Sequence, residues 1–139
     1  MNIDLNQFTQ KAREAVTEAQ AEARRRHHQQ IDGWHLLHAL VSQQGGIVPA
    51  ILEKLDIQPS AVSLSLGREL DKLPAVTGSV DASHIYITQT VQDALNAAEA
   101  QAKRLKDEYL SAEHLFLGLL ESKDSALKKF FGSFGLTAD

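Results

Sequence analysis

The side chains whose chemistry first asks for an assignment are five histidines, His27, His28, His35, His38 and His114, and three carboxylates, Asp107, Glu108 and Glu113. His35 and His38 stand three apart, a spacing that shares one helix face and suits two metal ligands. A zinc site, however, needs a third and usually a fourth ligand, and the HExxH pattern is not present. The carboxylates raise the question of a glycosidase-type acid pair, but no histidine–carboxylate–nucleophile set accompanies them. A phosphate-cradling P-loop requires GxxxxGK followed by Ser or Thr, and no glycine of this chain precedes a lysine. ATP hydrolysis by these residues is therefore not expected.

The histidines gain a different meaning from the elements around them. Sliding the sequence on itself by 79 positions aligns residues 8–60 with 87–139 without a gap, and ten pairs are identical, among them Thr9/Thr88, His35/His114, Leu36/Leu115 and Leu40/Leu119. Apolar residues pair with apolar ones: Phe8 with Ile87, Val16 with Leu95, Ile31 with Leu110, Ile51 with Phe130 and Leu55 with Phe134. Both His35 and His114 follow a helix-capping residue by three, Asp32 in one half and Ser111 in the other. A catalytic group has little reason to be duplicated, whereas a helix-start residue has every reason, so the pattern assigns these two a structural role.

Each half opens with apolar residues three and four apart: Phe8, Ala12, Ala15, Val16, Ala19 and Ala23, then Ile87, Val91, Ala94, Leu95, Ala98 and Ala102. That is one face of an amphipathic helix. Thr9 and Thr88 stand where N-caps belong, and helices are predicted at roughly 9–26 and 88–105. The second helices begin at Asp32 and Ser111. Short third helices follow at roughly 47–55, with Val48, Ile51, Leu52 and Leu55 apolar, and at 124–134. A further helix, capped by Ser60, carries Val62, Leu66, Leu70 and Leu73 on one face and ends at Pro74. The position matching Ser60 is Asp139, so a fourth helix of the second half is expected to lie beyond this chain.

The fold class is thus all-α, a pseudo-twofold tandem repeat of two helical bundles with about seven helices. Residues 1–139 form a single domain: repeat one at 8–73, a connector at 74–86 and repeat two at 87–139. Trp34, the only tryptophan, falls in the first turn of a helix and reads as local packing, the alternative being a partly exposed anchor for a partner.

Composition narrows the function. With 43% hydrophobic residues, 139 positions suffice for a core without cross-links. The absence of cysteine excludes disulfides and thiolate metal sites. The apolar run at 115–120 is far short of the roughly 20 residues of a membrane span, and the N-terminal MNIDLNQF has no secretory pattern. Net charge is −4 with mixed signs along the chain, which argues against nucleic acid as the main partner. The basic RRRHH at 24–28 reads as cations complementing a helix C-terminus.

FTQKAREAV, KLPAVTG and above all RLKDEYLSAEHLFLGLLE resemble the duplicated N-terminal domain of the Clp family of AAA+ unfoldases, and KLP followed shortly by Gly is similar to the ClpB-type disaggregases. The resemblance implies a tethered, cytoplasmic, non-enzymatic module of a homohexameric ATP-driven machine, itself monomeric when isolated. It would engage exposed segments of unfolded or aggregated polypeptides, with no metal and no cofactor of its own, ATP belonging to the absent ATPase modules. It also implies a polar substrate-handling set matching Thr9, Asp107 and Glu113, beside an apolar groove to which Leu95 belongs. Asp107, Glu108 and Glu113 stand where the first half has His28, Gln29 and Trp34, so the halves differ at this surface; a surface role for Asp107 predicts that its removal leaves stability almost unchanged. Two alternatives remain: an adaptor-docking domain of a protease-linked unfoldase, and a helical hydrolase or metal enzyme built on the histidines.

Overall fold

The computed structural model describes residues 5–76 and 86–136, and its framework is two copies of one helical unit. The middle of the 74–86 connector and the expected cap at Asp139 lie outside the described residues. After a 3-10 turn at Leu5–Gln7, helix α1 runs Gln10–Arg25, strand β1 Gln30–Ile31, α2 Gly33–Val41, α3 Ile47–Lys54 and α4 Pro59–Asp71; then come β2 Tyr86–Ile87, α5 Gln89–Arg104, α6 Ala112–Leu120 and α7 Ser125–Ser133. Shifted by 79, α1 and α2 reproduce the bounds of α5 and α6.

The helix starts follow from their caps. Thr9 accepts from the Ala12 amide through its hydroxyl, and Thr88 does the same for Val91. One donor left orphaned at each N-terminus is thereby satisfied. At α4 the first-turn position is held by Pro59, with Gln58 as N-cap and no side-chain bond. Proline's fixed φ and missing N–H suit that place, so Ser60 is not the cap. At the far end of α1 the basic cluster is paired: Arg25 with Glu18 at 2.6 Å and Glu22 at 3.3 Å, Arg26 with Asp71 at 2.6 Å.

Small residues let the helices approach. Ala12, Ala15, Ala19 and Ala23 on α1, and Ala94, Ala98 and Ala102 on α5, are buried. The core that all but Ala102 share with Leu36, Leu40, Leu115, Leu119, Val48 and Leu127 is continuous across both units. Leu55, aligned with Phe134 and read as apolar packing, is instead 55% exposed; Trp34 packs edge-on against Phe130, ring centroids 5.4 Å apart. The tightest approach is at Gly118, where a Cβ would overlap the backbone carbonyl of Ala94. Its counterpart in the first unit is Ala39. Gly118→Ala is expected to push α6 off α5 and lower the unfolding free energy by about 1–3 kcal/mol, measured by urea denaturation. A neutral result would show that α5 and α6 slide freely.

The units are interleaved rather than merely adjacent. β1 pairs in parallel with β2, Gln30 opposite Tyr86 and Ile31 opposite Ile87. The pseudo-symmetric contact is a parallel bridge between Phe8 and Leu110. The strand leading into each first helix therefore pairs with the loop leading into the other unit's second helix. Thr88 also donates its hydroxyl to the carboxylate of Asp32 at 3.0 Å, joining the cap of α5 to that of α2.

Candidate functional site

The duplicated histidine is a capping-box residue. His35 Nδ1 accepts from the Asp32 amide and His114 Nδ1 from the Ser111 amide, both at 2.9 Å, while the side chains of Asp32 and Ser111 cap the helices in return. With Nδ1 engaged as acceptor, each ring carries its proton on Nε2. That proton goes to repeat position 28/107: His35 donates to His28 Nδ1 at 2.8 Å, and His114 donates to the Asp107 carboxylate at 3.0 Å. His38, which the sequence places beside His35 as a possible metal partner, pairs elsewhere, with Glu22 at 2.7 Å. Burial pushes the Glu22 carboxyl up, but His38, Arg26 and Arg25 outweigh it and hold it below the usual carboxylate range. No group of three potential metal ligands occurs among the described residues.

Asp107 also reaches the surface, where it lines a cleft of about 370 Å³ with Gln7, Glu99, Lys103, Glu108 and Tyr109. Thr9 is tied to this region through the backbone: its amide donates to the Leu110 carbonyl at 2.9 Å, and the Leu110 amide to the Gln7 carbonyl at 2.8 Å. Glu113 is exposed in the first turn of α6, where the helix dipole favours a carboxylate. Leu95, half-buried on α5, packs against the core. The structure thus brings Asp107 into the cleft and Thr9 to its edge, and leaves Glu113 and Leu95 outside its lining.

These features have counterparts elsewhere. The family model described as the Clp repeat (R) N-terminal domain matches residues 7–134. The chain belongs to this family. Among curated relatives, the chaperone protein ClpB of Nitratidesulfovibrio vulgaris is 41% identical over 90% of this chain and 15% of its own length. ClpB of Bacillus anthracis is 37% identical over 99% of this chain and 16% of its own. The chain therefore spans about a sixth of the relatives it matches. The crystal structure of the Hsp104 N-terminal domain from Candida albicans superimposes with a TM-score of 0.82 at 23% identity, covering 95% of this chain and 84% of that one. The all-α Clp N-terminal fold expected from the sequence is what the structure shows.

Within this Clp N-terminal repeat domain, sequence reasoning missed Leu105 and Tyr109, exposed on either side of Asp107. The repeat held the signal: both are apolar where the first unit has Arg26 and Gln30. The structure also alters the expectation for Asp107, whose carboxylate is the acceptor for a buried imidazole. Asp107→Ala is expected to cost about 1 kcal/mol in a urea melt, because water reaches the half-exposed site and replaces part of the lost bond. Asp107→Asn, which keeps an acceptor oxygen, should cost less than half as much. Equal stability of wild type and Asp107→Ala would mean that the bond to His114 contributes nothing.

Proposed function

We propose that this domain is a non-enzymatic polypeptide-engaging module of a ClpB-type, ATP-driven disaggregase. Its ligands are exposed segments of unfolded or aggregated proteins, in the cytoplasm. Asp107 lies at the centre of the site, Thr9 and Glu113 supply further polar groups, and Leu95 supplies apolar surface. The reading assigns no metal and no cofactor to this chain, places ATP with the ATPase modules of a homohexameric parent, and takes the isolated domain as a monomer that binds neither nucleic acid nor membrane.

One observation carries this reading. The two units share backbone, core and the caps of their first two helices, yet diverge at 105–109, where the second unit exposes Leu105 and Tyr109 beside carboxylates and an open cleft. Selection for the scaffold alone explains the shared features and leaves that divergence without a purpose. Affinity is expected to be low, since ordering a disordered segment costs conformational entropy.

The test titrates a reduced, alkylated polypeptide into the isotopically labelled 139-residue chain and follows amide shifts. Saturable shifts across 96–110 and Glu113 are expected. Absence of a response there, or capture of one folded partner in stoichiometric amount with no response to the unfolded chain, would overturn the proposal.

A further inference from the structure

The cleft beside Asp107 has a twin, and the twin is occupied. Around the first unit's turn, His28, Gln29, Gln30 and Tyr86 line a smaller cleft with Leu73 just past the end of α4 and Pro74 and Val76 of the connector. Shifted by 79, His28, Gln29 and Gln30 become Asp107, Glu108 and Tyr109, and Gln7 becomes Tyr86, so the second cleft is built from the same positions.

The turns beneath the two clefts match bond for bond. His27 and Lys106 both adopt left-handed backbone, φ 60° and 58°. The His27 amide donates to the Arg24 carbonyl and that of Lys106 to the Lys103 carbonyl, each at 3.1 Å; the next amides, His28 and Asp107, donate to Ala23 and Ala102, each at 2.8 Å. Such a helix end turns the carbonyl of its left-handed residue outward. In the first unit that carbonyl is used: the Val76 amide donates to His27 at 2.8 Å, seating the connector along the cleft. Among the described residues, none donates to the Lys106 carbonyl. The space left beside the connector is about 220 Å³, against about 370 Å³ at the second turn.

Charge distinguishes the two. The occupied cleft has one carboxylate, Asp32, in its lining; the open one has Glu99, Asp107 and Glu108 against Lys103. An occupant of the second cleft would gain from a cation at its flank, and the chain's own stretch into the connector reads Lys72, Leu73, Pro74, Ala75, Val76, with Lys72 paired to Glu69 at the end of α4.

We propose that the second cleft takes a partner's polypeptide segment as the first takes the chain's own Pro74–Val76. A backbone N–H of the segment bonds the Lys106 carbonyl, an aliphatic or proline side chain enters beside Ala100 and Leu110, and a flanking Lys or Arg faces Glu99, Asp107 and Glu108. This deepens the polypeptide-binding reading and rests on it. The single backbone bond supplies affinity without sequence preference, and the carboxylates select basic-aliphatic segments.

The probe is a synthetic peptide KLPAVTG, the chain's own residues 72–78, added to the labelled 139-residue protein. Saturable shifts at Lys106, Asp107, Tyr109 and the 96–103 face are expected. N-methylation of the peptide's valine, or its Lys→Glu change, should weaken binding at least tenfold, and Ala100→Trp, at an exposed helix position, should abolish it while the thermal melt stays unchanged. Shifts confined to His27–Gln30, or equal binding of the N-methylated peptide, would overturn the inference. So would failure of KLPAVTG where the alkylated polypeptide still perturbs 96–110, a result that leaves the general function standing; if neither ligand binds, both fail.

Discussion

Leu115→Ala lowers the unfolding free energy by about 2–5 kcal/mol, read as a fall in the urea midpoint with an unchanged slope. Leu115 is wholly buried on α6, a helix in contact with α1, α2, α3, α5 and α7. Truncation removes three buried carbons from water-free packing and leaves a void that neighbours on several sides would have to fill together. Partial relaxation places the cost in the upper part of the range for buried leucines. The control is Leu64→Ala on α4: the same chemical change at a side chain 62% exposed, expected within about 0.5 kcal/mol of wild type. Small domains hold only about 5–15 kcal/mol in total, so the first change takes a large share of stability and the second almost none. A loss below about 1 kcal/mol at Leu115 would mean that the two units do not share one core.

The order of elements was legible because each helix carries its own punctuation. Thr9 and Thr88 precede runs of alanine and aliphatic residues at period 3.6, and the helices begin one residue after each. Asp32 and Ser111 open the second pair by the same rule. Non-local geometry was not legible. The alternation around Tyr86–Ile87 is visible as a strand pattern, but its pairing with Gln30–Ile31 depends on how the units interleave. Leu55 shows the limit of periodicity: it continues the apolar spacing of α3 but stands one residue past the helix, as its C-cap, and is exposed. For Asp107, asymmetry between the halves pointed to the correct surface while hiding half of the residue's role. Its bond to His114 spans a turn, seven residues along the chain, and no helical or strand spacing announces such a contact.

That same position predicts how the domain responds to acid. In the first unit the partner of the buried capping histidine is a second histidine. Burial and the neighbouring His28 push His35 down to about 4 from the ordinary 6.5. Burial, with Arg26 adding, holds His28 below its ordinary value too. Protonating His28 at Nδ1 sets an N–H against the Nε2–H of His35 across a 2.8 Å contact, and protonating His35 at Nδ1 sets one against the Asp32 amide that donates to it at 2.9 Å. In the unfolded chain both imidazoles titrate normally, so between pH 6.5 and about 4 the unfolded state binds more protons and the unfolding free energy falls as pH falls. The contribution is fully present above pH 6.5, and the His35 shift alone corresponds to about 3 kcal/mol lost across the window. Urea melts at half-unit steps from pH 7.5 to 4 measure it. The decisive variant is His28→Asp, which installs the second unit's solution: a carboxylate accepts from neutral His35 and stabilises its protonated form, so the slope between pH 6.5 and 4 should flatten. A wild-type profile already flat in that window, or a variant as acid-sensitive as wild type, would show that the buried pair does not couple folding to protons.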